Sequence, residues 1–167
     1  MKNITLIGMP GAGKSTVGVL LAKALGFRFV DTDLTLQQRE GALLHEILDQ
    51  RGVERFLDLE EEAIRALDCM HCVIAPGGSA VCRAGGMRHL KQLGPVVYLR
   101  VPLSELSRRI GNITTRGIAM KPGQTLADLF VQRTPLYEQY ADRVVDVNGA
   151  TLEETVAAVL RALTGAP

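Results

Sequence analysis

Short apolar runs alternate with helical patterns along the whole chain. Five runs are nearly continuous in apolar residues, as expected of strands that are covered on both faces, and they lie at residues 4–7, 27–30, 73–75, 96–99 and 144–147. Because the intervals between them carry helical periodicity, we expect helical crossovers between successive strands. The pattern therefore predicts an α/β protein with a parallel sheet.

Capping residues mark where several helices begin and end. Gly26 closes a predicted helix at 14–25, and Pro102 suits the first turn of another. Thr125 and Thr151 each precede an acidic residue by three positions, which is typical of an N-cap. Further helical patterns cover residues 42–50, 54–67 and 87–93.

The composition fits a single domain over residues 1–167 and excludes several classes of protein. Hydrophobic residues make up 47% of the chain and charged residues 22%, which is enough for a substantial core. A net charge of +1 and an aromatic content of 4% argue against a broadly basic or base-stacking surface for nucleic acid. No apolar run approaches the roughly 18 residues of a membrane helix, and no signal segment is recognisable. We expect a cytoplasmic monomer with no nucleic-acid or membrane partner.

Three cysteines raise the question of a redox or metal site. Cys69 and Cys72 spell C-x-x-C, but an odd cysteine count without a secretory signal argues against a disulfide framework. The pair precedes an apolar strand, whereas a redox motif normally follows one, and a zinc knuckle would need a second pair. We interpret the segment as a turn with ordinary thiols, and leave a redox or metal role for the pair open.

The strongest chemical signal is the sequence GMPGAGKS at residues 8–15, which fits the pattern G-x-x-x-x-G-K-[ST]. It follows a predicted strand and opens a predicted helix, the context that a phosphate-binding loop requires. Glycines let backbone N–H groups curl around phosphate oxygens, and the helix N-terminus adds the positive end of its dipole. The sequence thus predicts a nucleotide site formed by Gly8, Gly11, Ala12, Gly13, Lys14, Ser15 and Thr16.

Two further motifs follow predicted strands, where ligands bind in open parallel sheets. Asp31 and Asp33 come after the second strand. One carboxylate can serve a magnesium shell and the other can accept the proton of an attacking hydroxyl, although such a pair is also typical of a helix cap. Gly77 and Gly78 follow the third strand and either admit a ligand close to the backbone or form a plain turn.

Residues 111–124 lack periodicity, and a loop of that length predicts a mobile functional segment.

Taken in order, these motifs resemble those of the shikimate kinase family over essentially the whole chain, together with the later sequence Arg133-Thr134-Pro135-Leu136-Tyr137. The resemblance implies a P-loop kinase of the nucleoside monophosphate kinase type, with three layers and a five-stranded parallel sheet of order 2-3-1-4-5 flanked by helices. It also implies an acceptor-binding region at 34–60 and a lid at 111–124. The implied activity is Mg²⁺-dependent phosphoryl transfer from ATP to a hydroxyl of shikimate.

The resemblance gives each matching residue a role. Lys14 serves the phosphates, Ser15 and Asp31 the magnesium ion, and Asp33 binds the acceptor hydroxyls and acts as base. Arg116 in the lid reaches the transferring phosphoryl group. The other implied contacts are Arg109 with the adenine, Arg133 with the carboxylate of the acceptor, and Gly77 and Gly78 with the acceptor itself.

The sequence departs from the family on the acceptor side. Where the family has Gly-Glu-x-x-Phe-Arg-x-x-Glu, this chain has Val53 for the first glutamate and Leu57 for the arginine that binds the carboxylate of shikimate. Ser79 replaces the third of three glycines, and the lid reads Arg-Gly-Ile-Ala at 116–119 in place of Arg-Pro-Leu-Leu. Three hypotheses follow: a shikimate kinase with an altered pocket, a kinase of the same build for another small hydroxylated metabolite, and a nucleotide-binding regulator without turnover.

Overall fold

The computed structural model describes residues 3–110 and 117–165. Its elements, numbered along the chain, are β1 (Asn3–Ile7), α1 (Lys14–Leu25), β2 (Arg28–Asp31), α2 (Thr32–Glu40), α3 (Leu44–Arg65), β3 (Cys72–Ala75), α4 (Ala84–Leu93), β4 (Val96–Arg100), α5 (Leu103–Ile110), α6 (Leu126–Tyr140), β5 (Arg143–Asp146) and α7 (Leu152–Thr164). A short 3₁₀ helix, Ala80–Cys82, lies between β3 and α4.

The five strands pair in parallel in the order β2-β3-β1-β4-β5, which confirms the predicted fold class and strand order. The central strands β1 and β3 are buried along their whole length, as expected when helices cover a parallel sheet. The crossovers are helical, and α1 contacts both β3 and α7. Because all strands point the same way, the carboxyl ends of β1, β2 and β3 meet at one edge, where the three sequence motifs begin.

The predicted C-cap of α1 and the predicted N-caps of α6 and α7 are confirmed. Gly26 closes α1 with φ 68°, in the left-handed region that favours glycine. The hydroxyl of Thr125 accepts a bond from the N–H of Asp128 at 3.1 Å, and that of Thr151 accepts one from the N–H of Glu154 at 3.2 Å. Most predicted boundaries therefore agree closely with the observed ones.

One helix differs from the sequence prediction. The pattern does not predict α2, because only Thr32 and Leu36 are buried in it and so no apolar periodicity marks it. The two helices predicted at 42–50 and 54–67 are confirmed as the two halves of α3. They are separated by a kink at Gly52, where φ is 75° and ψ is 167°, values outside the helical region.

The predicted acceptor region has a hydrophobic cluster of its own beside the main core. We call it the acceptor cluster, and its buried members come from α2, both halves of α3 and the segment after α5: Leu36, Ile47, Phe56, Leu57, Leu59, Ala63 and Ala119. Val53 packs against it as a half-buried residue. The acceptor region is thus held by its own apolar contacts.

Two further findings bear on the sequence predictions. Among the helices described at 3–110 and 117–165, none is long and apolar enough to cross a membrane. Cys69, Cys72 and Cys82 are free thiols. Cys72 is the first residue of β3, so the C-x-x-C sequence precedes a strand as predicted.

Candidate active site

The phosphate-binding loop connects β1 to α1. Gly11 and Gly13 have φ of 82° and 89°, which L side chains rarely adopt, so the loop needs glycine at both positions. Gly13 is the N-cap residue of α1, and no side chain caps that end of the helix. The N–H groups of the first turn are therefore available to a ligand, and the helix dipole favours an anion there.

Lys14 is folded back into this loop. Its side-chain Nζ donates to the carbonyl oxygens of Gly8 at 2.9 Å and Met9 at 3.0 Å. Burial lowers the pKa of Lys14 to about 8, and the nearby carboxylate of Asp33 opposes that shift. The ammonium group remains largely charged at neutral pH, and phosphate oxygens can replace its two carbonyl partners.

Ser15 and Asp31 lie side by side at the carboxyl edge of the sheet. The hydroxyl of Ser15 donates to Oδ2 of Asp31 at 3.2 Å. Oδ1 of Asp31 accepts a bond from the N–H of Asp33 at 2.9 Å, so Asp31 also caps α2. A hydroxyl and a carboxylate oxygen this close are the hard ligands that Mg²⁺ takes together with water and phosphate oxygens, so the pair fits a magnesium ion.

Asp33 faces a cavity of about 310 Å³ that also reaches the phosphate-binding loop. Burial raises the pKa of Asp33 to about 6; Asp31 adds to the shift and Lys14 opposes it. The carboxylate is thus mostly charged at neutral pH and able to accept a proton. The predicted site residues that line this cavity are Gly11, Gly13, Lys14, Ser15, Thr16, Asp33, Gly77, Gly78 and Arg133.

Glu60 is a site residue that the sequence reasoning did not single out. Its side chain is 3% exposed; Oε1 accepts a bond from the hydroxyl of Ser79 at 2.7 Å, whereas Oε2 has no partner in the described part of the chain. Burial raises the pKa of Glu60 to about 7, against the effect of the Ser79 bond. A Cβ built on Gly77 would lie 2.5 Å from Oε2 of Glu60 and 2.9 Å from Oδ1 of Asp33. Two carboxyl groups therefore converge on one glycine.

Arg133 brings positive charge to the same cavity from α6. It is 2% exposed, and its Nη2 donates to the carbonyl oxygen of Ala119 at 2.8 Å. Its Nε and Nη1 are buried and make no well-aligned hydrogen bond to any described residue, although the guanidinium lies beside the hydroxyl of Tyr137 and the thiol of Cys82. Because a buried charged donor is costly unless it is paired, this guanidinium is suited to an anionic group of a ligand.

The remaining predicted residues are placed as follows. Arg109 lies against the phosphate-binding loop: its Nη1 donates to the carbonyl oxygen of Gly11 at 3.1 Å and its Nη2 to Oε1 of Glu105 at 2.6 Å. Arg116 lies outside the described residues, as does the rest of the predicted lid up to that position. Of the described part of the predicted lid, residues 117–124, the first three line the cavity.

The two substituted positions of α3 are apolar contacts. Leu57 is 7% exposed and packs in the acceptor cluster, with Val53 beside that cluster. Leu57 precedes Glu60 by three positions, so the two side chains lie on one face of the helix. Glu60 also matches the last glutamate of the motif Gly-Glu-x-x-Phe-Arg-x-x-Glu, and that match was the signal from which it could be found.

A comparison with known proteins agrees with this geometry. A family model described as shikimate kinase matches residues 10–164. The chain belongs to the shikimate kinase family. A shikimate kinase of Thermodesulfovibrio yellowstonii is 38% identical over 164 residues, which cover 96% of this chain and 94% of that protein. One of Pseudomonas aeruginosa is 38% identical over 170 residues, covering 100% and 99%.

Solved structures place the kinase in the same family. The shikimate kinase from Acinetobacter baumannii in complex with shikimate has a TM-score of 0.89 and 30% identity, covering 99% of this chain and 94% of that one. A gluconokinase from Sinorhizobium meliloti has a TM-score of 0.56 at 23% identity, so it shares the fold alone. The P-loop kinase fold implied by the sequence resemblance is thus confirmed.

Proposed function

We propose that this protein transfers the γ-phosphoryl group of ATP to a hydroxyl of shikimate, forming shikimate 3-phosphate. The observation that carries the proposal is one cavity in which the phosphate-binding loop, Asp33 and the unpartnered guanidinium of Arg133 meet. Shikimate, which the Acinetobacter baumannii relative binds, is a hydroxylated ring acid and therefore offers both a carboxylate and attacking hydroxyls.

The nucleotide half of the site binds ATP through backbone N–H groups and one lysine. Lys14 exchanges the carbonyl oxygens of Gly8 and Met9 for oxygens of the β- and γ-phosphates. Ser15 and Asp31 would hold Mg²⁺, which when bound neutralises charge on the phosphates. The other residues assigned to the nucleotide are Gly11, Ala12, Gly13, Thr16 and, on the adenine side, Arg109.

The acceptor half orients the hydroxyl for transfer. Arg133 donates its free Nε and Nη1 to the carboxylate of the acceptor, since a planar guanidinium fork matches a planar carboxylate. Asp33 accepts the proton of the attacking hydroxyl, while Gly77 and Gly78 let the ring approach the backbone. Arg116 of the lid neutralises charge on the transferring phosphoryl group, and catalysis is then mainly positioning and charge stabilisation.

A coupled ADP-release assay with ATP and Mg²⁺ tests this proposal over shikimate, quinate, gluconate and nucleoside monophosphates. We expect the highest kcat/KM for shikimate, with shikimate 3-phosphate as the product identified by mass. The Asp33→Asn variant serves as the control, because it keeps the cavity and loses the proton acceptor.

Two other outcomes separate the alternatives. The apolar contacts of Leu57 and Val53 favour an acceptor that has no carboxylate near these residues. A higher kcat/KM for another small hydroxylated metabolite than for shikimate would identify that metabolite as the acceptor. ADP release that never exceeds the background without acceptor would favour a nucleotide-binding regulator.

A further inference from the structure

Tyr137 is a buried side chain between two loops of the active site. It lies on α6 one turn after Arg133 and is 1% exposed. Its ring stacks on that of Tyr98 in β4, with ring centroids 5.1 Å apart and an interplanar angle of 24°. Because β4 is an inner strand of the sheet, this stack fixes the phenol against a rigid support.

The hydroxyl of Tyr137 is directed at the loop that follows β3. It donates to the carbonyl oxygen of Gly78 at 2.5 Å, and Sδ of Met9 lies 3.8 Å from the phenolic oxygen of Tyr137. A phenol has one proton, and a carbonyl is a much better acceptor than a thioether, so Gly78 receives the bond. Burial raises the pKa of Tyr137 well above its ordinary value, which keeps the hydroxyl a donor at working pH.

The peptide held in this way touches both halves of the site. A Cβ built on Gly78 would lie 2.7 Å from Cδ of Pro10, so the glycine packs directly on the phosphate-binding loop. Gly77, its neighbour, lies against the carboxyl groups of Asp33 and Glu60. The Gly78 carbonyl belongs to the peptide that leads into Ser79, whose hydroxyl bonds to Glu60, so the loop held by Tyr137 contacts Glu60 on both sides of this carbonyl.

We propose that Tyr137 is a positioning residue for the acceptor: by holding the carbonyl oxygen of Gly78, it fixes the Gly77–Gly78 backbone against Asp33 and Pro10. Its kinetic consequence rests on the proposed function, since shikimate is the acceptor used to read it. Tyr137 acts through Gly78, and the stack on Tyr98 supplies the rigidity that this action needs. Because the hydroxyl of Tyr137 also lies beside the guanidinium of Arg133, the action on the loop is read from the exchange of its amides as well as from the KM for shikimate.

The kinetic test compares Tyr137→Phe with Tyr98→Phe. Both variants keep the stacked rings and lose one hydroxyl from a buried tyrosine, but the hydroxyl of Tyr98 faces Thr134 and not the Gly78 loop. For Tyr137→Phe we expect the KM for shikimate to rise about fivefold or more, with the KM for ATP within about twofold. Tyr98→Phe is expected to leave both constants near those of the wild type.

A purely structural role gives a different result. Loss of stability would lower the active fraction, and with it the apparent kcat, without separating the two KM values. A KM for shikimate within twofold of the wild-type value in Tyr137→Phe, or an equal rise in Tyr98→Phe, would overturn the proposal.

Amide hydrogen exchange provides a readout that needs no acceptor. The N–H groups of Ala80 and Cys82 bond to the carbonyl oxygens of Gly77 and Ser79 in the turn that Tyr137 holds. In the protein without substrates, exchange of these amides is expected to be about tenfold faster in Tyr137→Phe and unchanged in Tyr98→Phe. Unchanged exchange in Tyr137→Phe would refute the positioning role even if shikimate were not the substrate.

Discussion

The two halves of the active site are built in different ways. The nucleotide half is centred on one continuous segment, residues 8–16, which presents backbone N–H groups and Lys14, whose donors bond to carbonyl oxygens of the loop; only Asp31 and Arg109 join it from other elements. The acceptor half collects side chains from separate elements: Asp33, Glu60, Ser79 and Arg133. It keeps buried polar atoms without partners in the described chain, on Glu60 and Arg133.

This contrast explains what each half can do before a ligand arrives. In the loop, Lys14 has carbonyl partners on Gly8 and Met9 before a ligand binds, and the free groups are backbone N–H groups of the first turn of α1. The acceptor half reaches full hydrogen bonding only when a ligand supplies an acceptor for Arg133 and a donor for Glu60. The substituted positions Val53, Leu57 and Ser79 also lie in or beside the acceptor half. Substitutions that change the substrate are therefore expected in this half, whereas turnover is expected to depend on Lys14 of the other half together with Asp33.

The largest effect is expected at Lys14. Replacement by methionine keeps the length of the side chain but removes the charge that stabilises the transferring phosphoryl group, so kcat should fall by about 10²- to 10³-fold. The coupled assay measures it, with Lys23→Met as the control because Lys23 is an exposed residue of the same helix. A loss of less than about tenfold would show that the loop amides suffice without Lys14.

Arg133 tests whether the halves act separately. In Arg133→Lys the charge stays, but the planar fork is lost, and the KM for shikimate should rise by about 10- to 100-fold while the KM for ATP stays within about twofold. Arg143→Lys, on the exposed face of β5, is the matched control. An equal rise of both KM values would mean that Arg133 supports the whole cavity rather than the acceptor alone.

The nucleotide half could be predicted from the sequence, and the acceptor half only in part. A contiguous loop fixes its own geometry, and five apolar runs are enough to predict a parallel sheet. The bond between Ser79 and Glu60 joins residues 19 positions apart, and the one between Arg133 and Ala119 joins residues 14 apart, so neither follows from local pattern. The helix α2 was not predicted because only two of its side chains are buried, which is too few to produce a periodic apolar pattern in the sequence.

Glu60 gives the acceptor half a dependence on pH that can be measured as stability. The pKa of this carboxyl is raised from 4.5 to about 7 in the folded protein, so between these pH values the folded state holds a proton that the unfolded chain has released. Stability contributed by Glu60 is therefore lost as the pH rises through this window. In Glu60→Gln that loss disappears, and the free energy of unfolding relative to wild type should increase by about 2–3 kcal/mol from pH 4.5 to pH 7.

Urea unfolding of both proteins across this pH range provides the measurement. The raised pKa of Asp33 contributes a slope of the same sign; because Asp33 is present in both proteins, its contribution cancels in the difference except for the part that comes from its coupling to Glu60. A difference that does not change with pH would show that Glu60 is charged in the folded protein.

Leu57 is the position at which a substitution can give the unpartnered groups of the acceptor half a hydrogen-bond partner within the protein, as Lys14 has in the nucleotide half. An arginine there lies three positions before Glu60 on the same helix face, so it can bond to the unpartnered Oε2 and add a cation beside Arg133. We expect Leu57→Arg to lower the KM for shikimate by about tenfold with an unchanged KM for ATP. Removing Leu57 from the acceptor cluster should also lower the free energy of unfolding by about 2 kcal/mol.

The control for this last prediction is Leu57→Gln, which also removes the apolar contact but adds no charge. If charge at position 57 decides acceptor affinity, only the arginine variant gains affinity, although both variants lose stability. An unchanged KM in Leu57→Arg, or the same decrease in Leu57→Gln, would show that position 57 does not shape acceptor choice. Arg133 would then be the carboxylate contact that matters, and the substitution of Leu57 would concern only the packing of α3 against the acceptor cluster.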